Sequence, residues 1–203
     1  MRKAKSAVPA RIVQAGELVL RQKARALGRE ELLGGEMQRL IATMRETMHA
    51  APGVGLAAPQ IGIGLQIAVI EDKQDYTKDA PPDFVRERER QPVPFHAIVN
   101  PTLTVLDAER AEFFEGCLSL AGFTAVVSRA RRVRVECWDE RAERVVIEAS
   151  GWYARILQHE IDHLQGTLYI DRMKTRTFSS LENFEANYKG RSMAEVKAII
   201  GWE

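Results

Sequence analysis

The sequence predicts an α+β fold in a single domain spanning residues 1–203: a mostly antiparallel sheet combined with helices. Three observations predict it. Short segments rich in Val and Ile, several with period-two alternation, read as strands. Apolar residues at helical offsets mark helices between and after them. A chain of 203 residues, 45% of them apolar, can bury one substantial core but falls short of two large domains.

Taken in order, Met37, Leu40, Ile41, Met44 and Met48 recur at the spacing of one helix face from Glu36 to Ala50, and Pro52-Gly53 stops that helix. Leu65–Glu71, Phe95–Val99, Arg132–Trp138 and Arg144–Ala149 are the expected strands. The polar stretch from Asp72 to Pro94, with Pro81-Pro82 and the charge run Arg86–Arg90, is expected to be a surface loop. In the third strand Arg132 and Arg134 alternate with Val133 and Val135, so the cluster Arg129, Arg131, Arg132 and Arg134 reads as a solvated strand face rather than a nucleic-acid site. Ser150 is placed to cap a helix carrying Ile156, Leu157, Ile161 and Leu164 and ending at Gly166. Ser192 and Glu195 have capping-box spacing ahead of Val196, Ile199 and Ile200, which predicts a last helix in a C-terminal extension at about residues 176–203.

Charge narrows the partners. The 29 basic and 28 acidic residues nearly cancel, so no whole-chain field points to DNA or to an anionic membrane. Two cysteines without a CxxC spacing suit a reduced compartment better than a secreted disulfide framework. There is no apolar run of membrane-spanning length and no signal-peptide h-region. The expected location is a bacterial cytoplasm, with an organelle matrix or stroma as the other setting.

Three segments carry chemistry. His159-Glu160-Ile161-Asp162-His163 is an HExxH pentapeptide, which on a helix sets two imidazoles one turn apart, able to share one ion. Glu160, next to the first imidazole, can accept a proton from a water at that ion. A catalytic site of this kind needs a third ligand. Cys117, in Glu115-Gly116-Cys117-Leu118-Ser119, is the candidate; a buried small hydrophobe and a catalytic thiol are the alternative readings of the same residue. The third segment is Gly53-Val54-Gly55-Leu56-Ala57-Ala58-Pro59-Gln60. Its glycines permit close backbone approach, and the Gln60 amide can donate to an oxyanion; a turn packed on a strand accounts for it equally.

Together these three ordered segments resemble the signature motifs of the peptide deformylase family, from about Val19 to Met173. The stretch Gly151–Gly166 and Ala121-Gly122-Phe123 resemble organelle-type members most. The resemblance implies antiparallel sheets packed around a central HExxH helix. It also implies a metal-dependent hydrolase that removes the formyl group from the N-terminal methionine of newly made polypeptides. It assigns Cys117, His159 and His163 to one divalent ion, iron(II) in most members and zinc, nickel or cobalt in others. Catalysis falls to Glu160, Gln60 and the Leu118 N–H, and the methionine site to Val54, Gly55, Glu115, Gly116, Trp152 and Ile156. Core packing is the other reading of Trp152 and Ile156, and Asp162 either orients a neighbour or meets solvent. Many bacterial members carry an arginine near the position of Thr124, so substrate contacts at that edge do not transfer directly. Some members touch the ribosome through a C-terminal extension, for which Lys189, Arg191 and Lys197 would be the basic residues here. The rival is an HExxH metallopeptidase, whose third ligand would have to come from downstream acids such as Glu182, Glu185 or Glu195.

Overall fold

Successive residues of a strand point to opposite faces, and in the strand Ile67–Asp72 both faces are apolar: Ile67 and Val69 join one buried cluster, Ala68 and Ile70 the other. Such a strand must lie between two layers. In the computed structural model, which describes residues 7–78 and 82–201, it does. It is β2 of a five-stranded antiparallel sheet ordered β1-β2-β3-β6-β7, with β1 at Gly55–Ala57, β3 at Val93–Val105, β6 at Arg132–Trp138 and β7 at Arg144–Ser150. Helix α2 (Gly35–Ala50), which follows the short α1 (Arg29–Leu33), covers one face with Met37, Ile41, Met44 and Met48. Helix α4 (Gly151–Leu164) covers the other with Ile156, Leu157, Ile161 and Leu164. Full burial of a leucine such as Leu157 or Leu164 contributes on the order of 2 kcal/mol.

A second sheet, β4 (Arg110–Gly116), β5 (Phe123–Ala130) and the two-residue β8 (Ser179–Ser180), is also antiparallel. Helix α4 meets strands of both sheets, β1, β2, β3, β6 and β7 of the first and β5 of the second, so it is enclosed by β-structure. The chain closes with α5 (Leu181–Asn187) and α6 (Met193–Ile200), the latter begun by the Ser192–Glu195 capping box and ended by Gly201 in the left-handed region.

The structure corrects several expectations. The stretch from Asp72 to Pro94 is not all loop: residues 74–77 form a 3-10 turn and Pro82–Glu87 a short helix, α3, while Pro81 lies outside the described residues. Polar composition hid α3 because its anchor is a cation: Arg88 lies over the rings of Phe84 and Phe113, a contact worth roughly 1–2 kcal/mol when desolvated. Ser150 occupies the cap position of α4 without a capping side-chain bond. Its backbone is still paired with Arg132 in β7, and the Trp152 N–H is satisfied by the Arg88 carbonyl at 2.8 Å instead. Arg129 is not on a solvated face; it is 3% exposed and ion-paired in the interior. Arg132 and Arg134 do face outward, with Arg134 pairing Glu136 and Glu148. Residues 1–6, 202 and 203, the ends of the expected single domain and its extension, lie outside the described residues.

Candidate metal centre and adjoining cavity

Strand β4 ends at Gly116, and the chain turns so that Cys117 faces the buried side of α4. His159 and His163 are one turn apart on α4, their ring centroids 5.0 Å apart. Cys117 Sγ is 3.3 Å from His163 Nε2, and the three potential ligand atoms lie within 4.8 Å of one another. The expected trio is thus brought together from two distant segments. The downstream acids are elsewhere: Glu185 pairs with Lys189 and Glu195 caps α6, while Glu182 is exposed in the first turn of α5.

The donor set fits a cation. His159 Nδ1 is 3.1 Å from Glu115 Oε2, which fixes the ring and leaves Nε2 for an ion, the carboxylate–histidine arrangement of metal sites. Burial disfavours charge on His159, but hydrogen bonds to Cys117 and Glu115 hold its pKa well above the usual range. Burial and the charge of His159 push His163 well below its ordinary value. A thiol and two imidazoles whose ligand atoms converge within 4.8 Å are a donor set that a divalent transition ion takes as thiolate and neutral imidazoles.

Glu115 is the hub of this shell. Burial alone would raise its carboxyl, but His159 and Arg129 hold it well below the usual carboxylate range. Arg129 donates to it through Nε at 3.0 Å and Nη2 at 2.9 Å, and Arg155 through Nη1 at 2.6 Å. The third Arg129 contact is Asp162, which Arg172 also clamps at 2.7 and 2.8 Å, so Asp162 has arginine partners rather than solvent. The sequence placed Arg129 on a solvated strand face and gave Arg155 no role. Arg155 carried a usable signal, standing four residues before His159 on the same helix face.

Glu160 is 3% exposed, and its Oε2 has no hydrogen-bond partner among the described residues. Burial pushes its carboxyl up to about 7. The carboxylate fits because Gly55 lacks a side chain: a Cβ there would lie 2.6 Å from Glu160 Cδ and 2.8 Å from its Cγ. Gln60 is likewise fixed: its Oε1 accepts from the Ala57 N–H at 2.8 Å, which aims Nε2 at Cys117 Sγ, 3.5 Å away. The Ser119 N–H also points at that sulfur, at 3.4 Å, while the Leu118 N–H has no acceptor among the described residues.

These groups open onto a cavity of about 520 Å³. Of the residues expected at the site, Gln60, Cys117, Leu118, His159 and Glu160 line it, as do Val54, Gly55, Glu115, Gly116, Trp152 and Ile156; His163 lies behind them, fully buried. Glu115 turns its carboxylate toward the arginines and His159. Thr124 donates to the Glu115 carbonyl at 2.8 Å and is buried. Phe123, noted in the sequence only within Ala121-Gly122-Phe123, and Leu181, to which the sequence gave no role, lie at the cavity edge.

A profile of the family described as polypeptide deformylase matches residues 9–179. The chain is 47% identical over 183 residues to peptide deformylase 1A, chloroplastic, of Solanum lycopersicum, covering 90% of this chain and 66% of that protein, so it spans just under two thirds of that relative. It is 45% identical over 194 residues to peptide deformylase 3 of Streptomyces avermitilis, covering 96% of this chain and 84% of that one. The mitochondrial peptide deformylase of Homo sapiens is 42% identical, covering 87% and 72%. Among solved structures, the Met-Ala-Ser-bound class I type b peptide deformylase of Acinetobacter baumannii superposes with a TM-score of 0.73 at 30% identity, over 82% of this chain and 99% of that one.

Proposed function

The chain belongs to the polypeptide deformylase family, and from that premise we infer that it is the metal-dependent hydrolase that removes the formyl group from the N-terminal methionine of new polypeptides, releasing formate. The observation that carries this reading is the meeting of Cys117, His159 and His163 beside a buried Glu160, whose Oε2 has no hydrogen-bond partner among the described residues, at one end of a largely apolar cavity. The Met-Ala-Ser held by the Acinetobacter baumannii protein is what formyl-Met-Ala-Ser becomes when its formyl group is lost, which supports the same substrate class here.

Cys117, His159 and His163 would hold the ion. When bound, it supplies Lewis acidity toward the formyl oxygen and lowers the pKa of the attacking water toward neutrality. Iron(II), the usual ion of the family, is the one we propose; a thiolate with two imidazoles also accepts zinc, nickel or cobalt. Glu160 takes the proton of the water as its oxygen bonds to the formyl carbon. The oxyanion that develops is met by the Gln60 amide and the Leu118 N–H, donors whose individual loss typically costs about 100- to 1,000-fold. As the C–N bond breaks, Glu160 returns the proton to the departing amine, leaving formate and a free methionyl N-terminus. Val54, Trp152 and Ile156 form the apolar wall for the methionine side chain.

The setting follows from the substrate: a compartment where synthesis starts with formylmethionine, for which we propose a bacterial cytoplasm, the relatives being bacterial, chloroplastic and mitochondrial. No helix among the described residues is long and apolar enough to cross a membrane. The basic residues expected to meet the ribosome are engaged locally, Lys189 with Glu185, Lys197 with Glu112 and Arg191 with the Asn187 carbonyl, so a ribosome contact draws no support from them. The test is formate release from formyl-Met-Ala-Ser by anaerobically purified protein of known metal content, beside Glu160→Ala. About one ion per chain in both, with release only in the parent, is the expected result; bound metal without release would refute the reading.

A further inference from the structure

The cavity is continuous with an apolar rim built by the C-terminal segment. Phe123 and Phe178 stack with centroids 5.1 Å apart, and with Leu181 they form a cluster of large apolar side chains each more than 40% exposed. Both Phe123 and Leu181 line the cavity that holds Cys117 and Glu160. Exposed apolar groups gathered at the mouth of a site mark a surface that something covers.

The segment carrying this rim is firmly held. Strand β8 pairs with β5 through Phe123↔Ser180 and Thr124↔Ser179, and the Leu181 N–H donates to the Gly122 carbonyl at 2.9 Å. Behind Leu181, Phe184 of α5 and Tyr188 just after it pack on Phe114, with centroids 4.8 and 5.5 Å away. The rim is therefore a fixed part of the cavity wall rather than a tail lying beside it.

We propose that Leu181 and Phe178, with Phe123, form a specificity wall that selects apolar side chains at the two positions following formylmethionine. This rests on the deformylase reading and goes beyond it. A polypeptide whose formyl end sits at Glu160 and whose methionine fills the inner apolar wall must leave through the mouth, past these side chains. Phe123, Phe178 and Leu181 offer no charge to pair an acidic or basic residue, so at these three side chains apolar contact is what distinguishes one substrate from another. Because the wall is half open to water, the preference is smaller than that of an enclosed pocket, about three- to tenfold rather than hundreds.

The test compares kcat/KM for formyl-Met-Leu-Leu and formyl-Met-Ser-Ser, using metal-replete full-length protein. The expected ratio is about three to ten in favour of the leucine peptide, falling toward one in Leu181→Ser and in Phe178→Ser. Leu181→Lys provides a gain that structural damage would not mimic: formyl-Met-Asp-Asp should improve relative to formyl-Met-Ser-Ser. Formate release from all peptides with a ratio of one in the parent, or a parent ratio unchanged in both serine variants, overturns the wall while leaving the deformylase reading intact. Absence of release from every formylated peptide overturns the deformylase reading itself.

Discussion

Gly55→Ala isolates the placement of Glu160 from its chemistry. The added Cβ would stand 2.6 Å from Glu160 Cδ and 2.8 Å from Cγ, with Oε1 nearer still, whereas carbon atoms in good contact keep about 3.5 Å or more. Relief requires a shift of about 1 Å. β1 is paired with β2 through Gly55↔Ile70 and cannot move easily, so the flexible end of Glu160 gives way. The fold should survive with a loss of about 1–3 kcal/mol, because the clash is with a side-chain terminus rather than with backbone. Catalysis should not: misplacing a reacting group by about 1 Å can cost about 100-fold. Gly53→Ala is the internal control, since its Cβ would meet the Leu118 Cδ1 at 3.0 Å, the Gly55 carbonyl oxygen at 3.3 Å and the Met48 Cγ at 3.6 Å but not Glu160; a loss under about tenfold is expected there. The assay is initial-rate formate release, with metal content and thermal unfolding measured on the same samples. If Gly55→Ala keeps near-parental kcat with metal bound, the argument that the glycine exists to seat Glu160 is refuted.

Two further predictions concern the buried charges. Glu115→Gln leaves Arg129 and Arg155 without their shared carboxylate and His159 without its anchor, so stability should fall by about 3–5 kcal/mol and metal affinity by about 10- to 100-fold. Denaturant unfolding of the metal-free protein and competition with a chelator measure the two effects, and unchanged values in both would remove Glu115 from the shell. For Cys137, burial pushes the thiol up to about 11 from an ordinary 9.0. A group with a raised native pKa contributes stability that is intact below its unfolded value and is lost as pH rises through the native one. Stability should therefore decline between pH ~9 and ~11, by about 2 kcal/mol or less, and this component should vanish in Cys137→Ala. Identical pH profiles for parent and variant would contradict it.

What the sequence disclosed was what local periodicity can carry. Helix α2 and strand β6 each show one buried stripe, β7 alternates in exposure, and α4 and α6 carry apolar residues at helical spacing, so their patterns are regular enough to read. The β4–β5 hairpin escaped because its pattern is broken twice over. In β4 the charged Glu115 takes a buried position, and β5 is buried almost throughout, so neither alternates cleanly. The chemistry-bearing residues were legible because ligand spacing on a helix is a local fact. Their support was not, since a buried Arg129 becomes intelligible only once Glu115 and Asp162, 14 and 33 residues away, are seen against it. The contribution of Leu181 and Phe178 to the cavity rim is hidden for the same reason: it depends on the pairing of Phe123 with Ser180 across more than fifty residues.

The central claim is that Glu160 and its neighbours direct water to a formyl carbon and not to a peptide bond. Incubating metal-replete protein with formyl-Met-Ala-Ser in oxygen-18 water and weighing the products by mass spectrometry tests it directly. One labelled oxygen in formate, beside unlabelled and intact Met-Ala-Ser, is the predicted result. Label in a newly formed peptide carboxylate, with the formyl group retained on methionine, would contradict the account and point to a metallopeptidase.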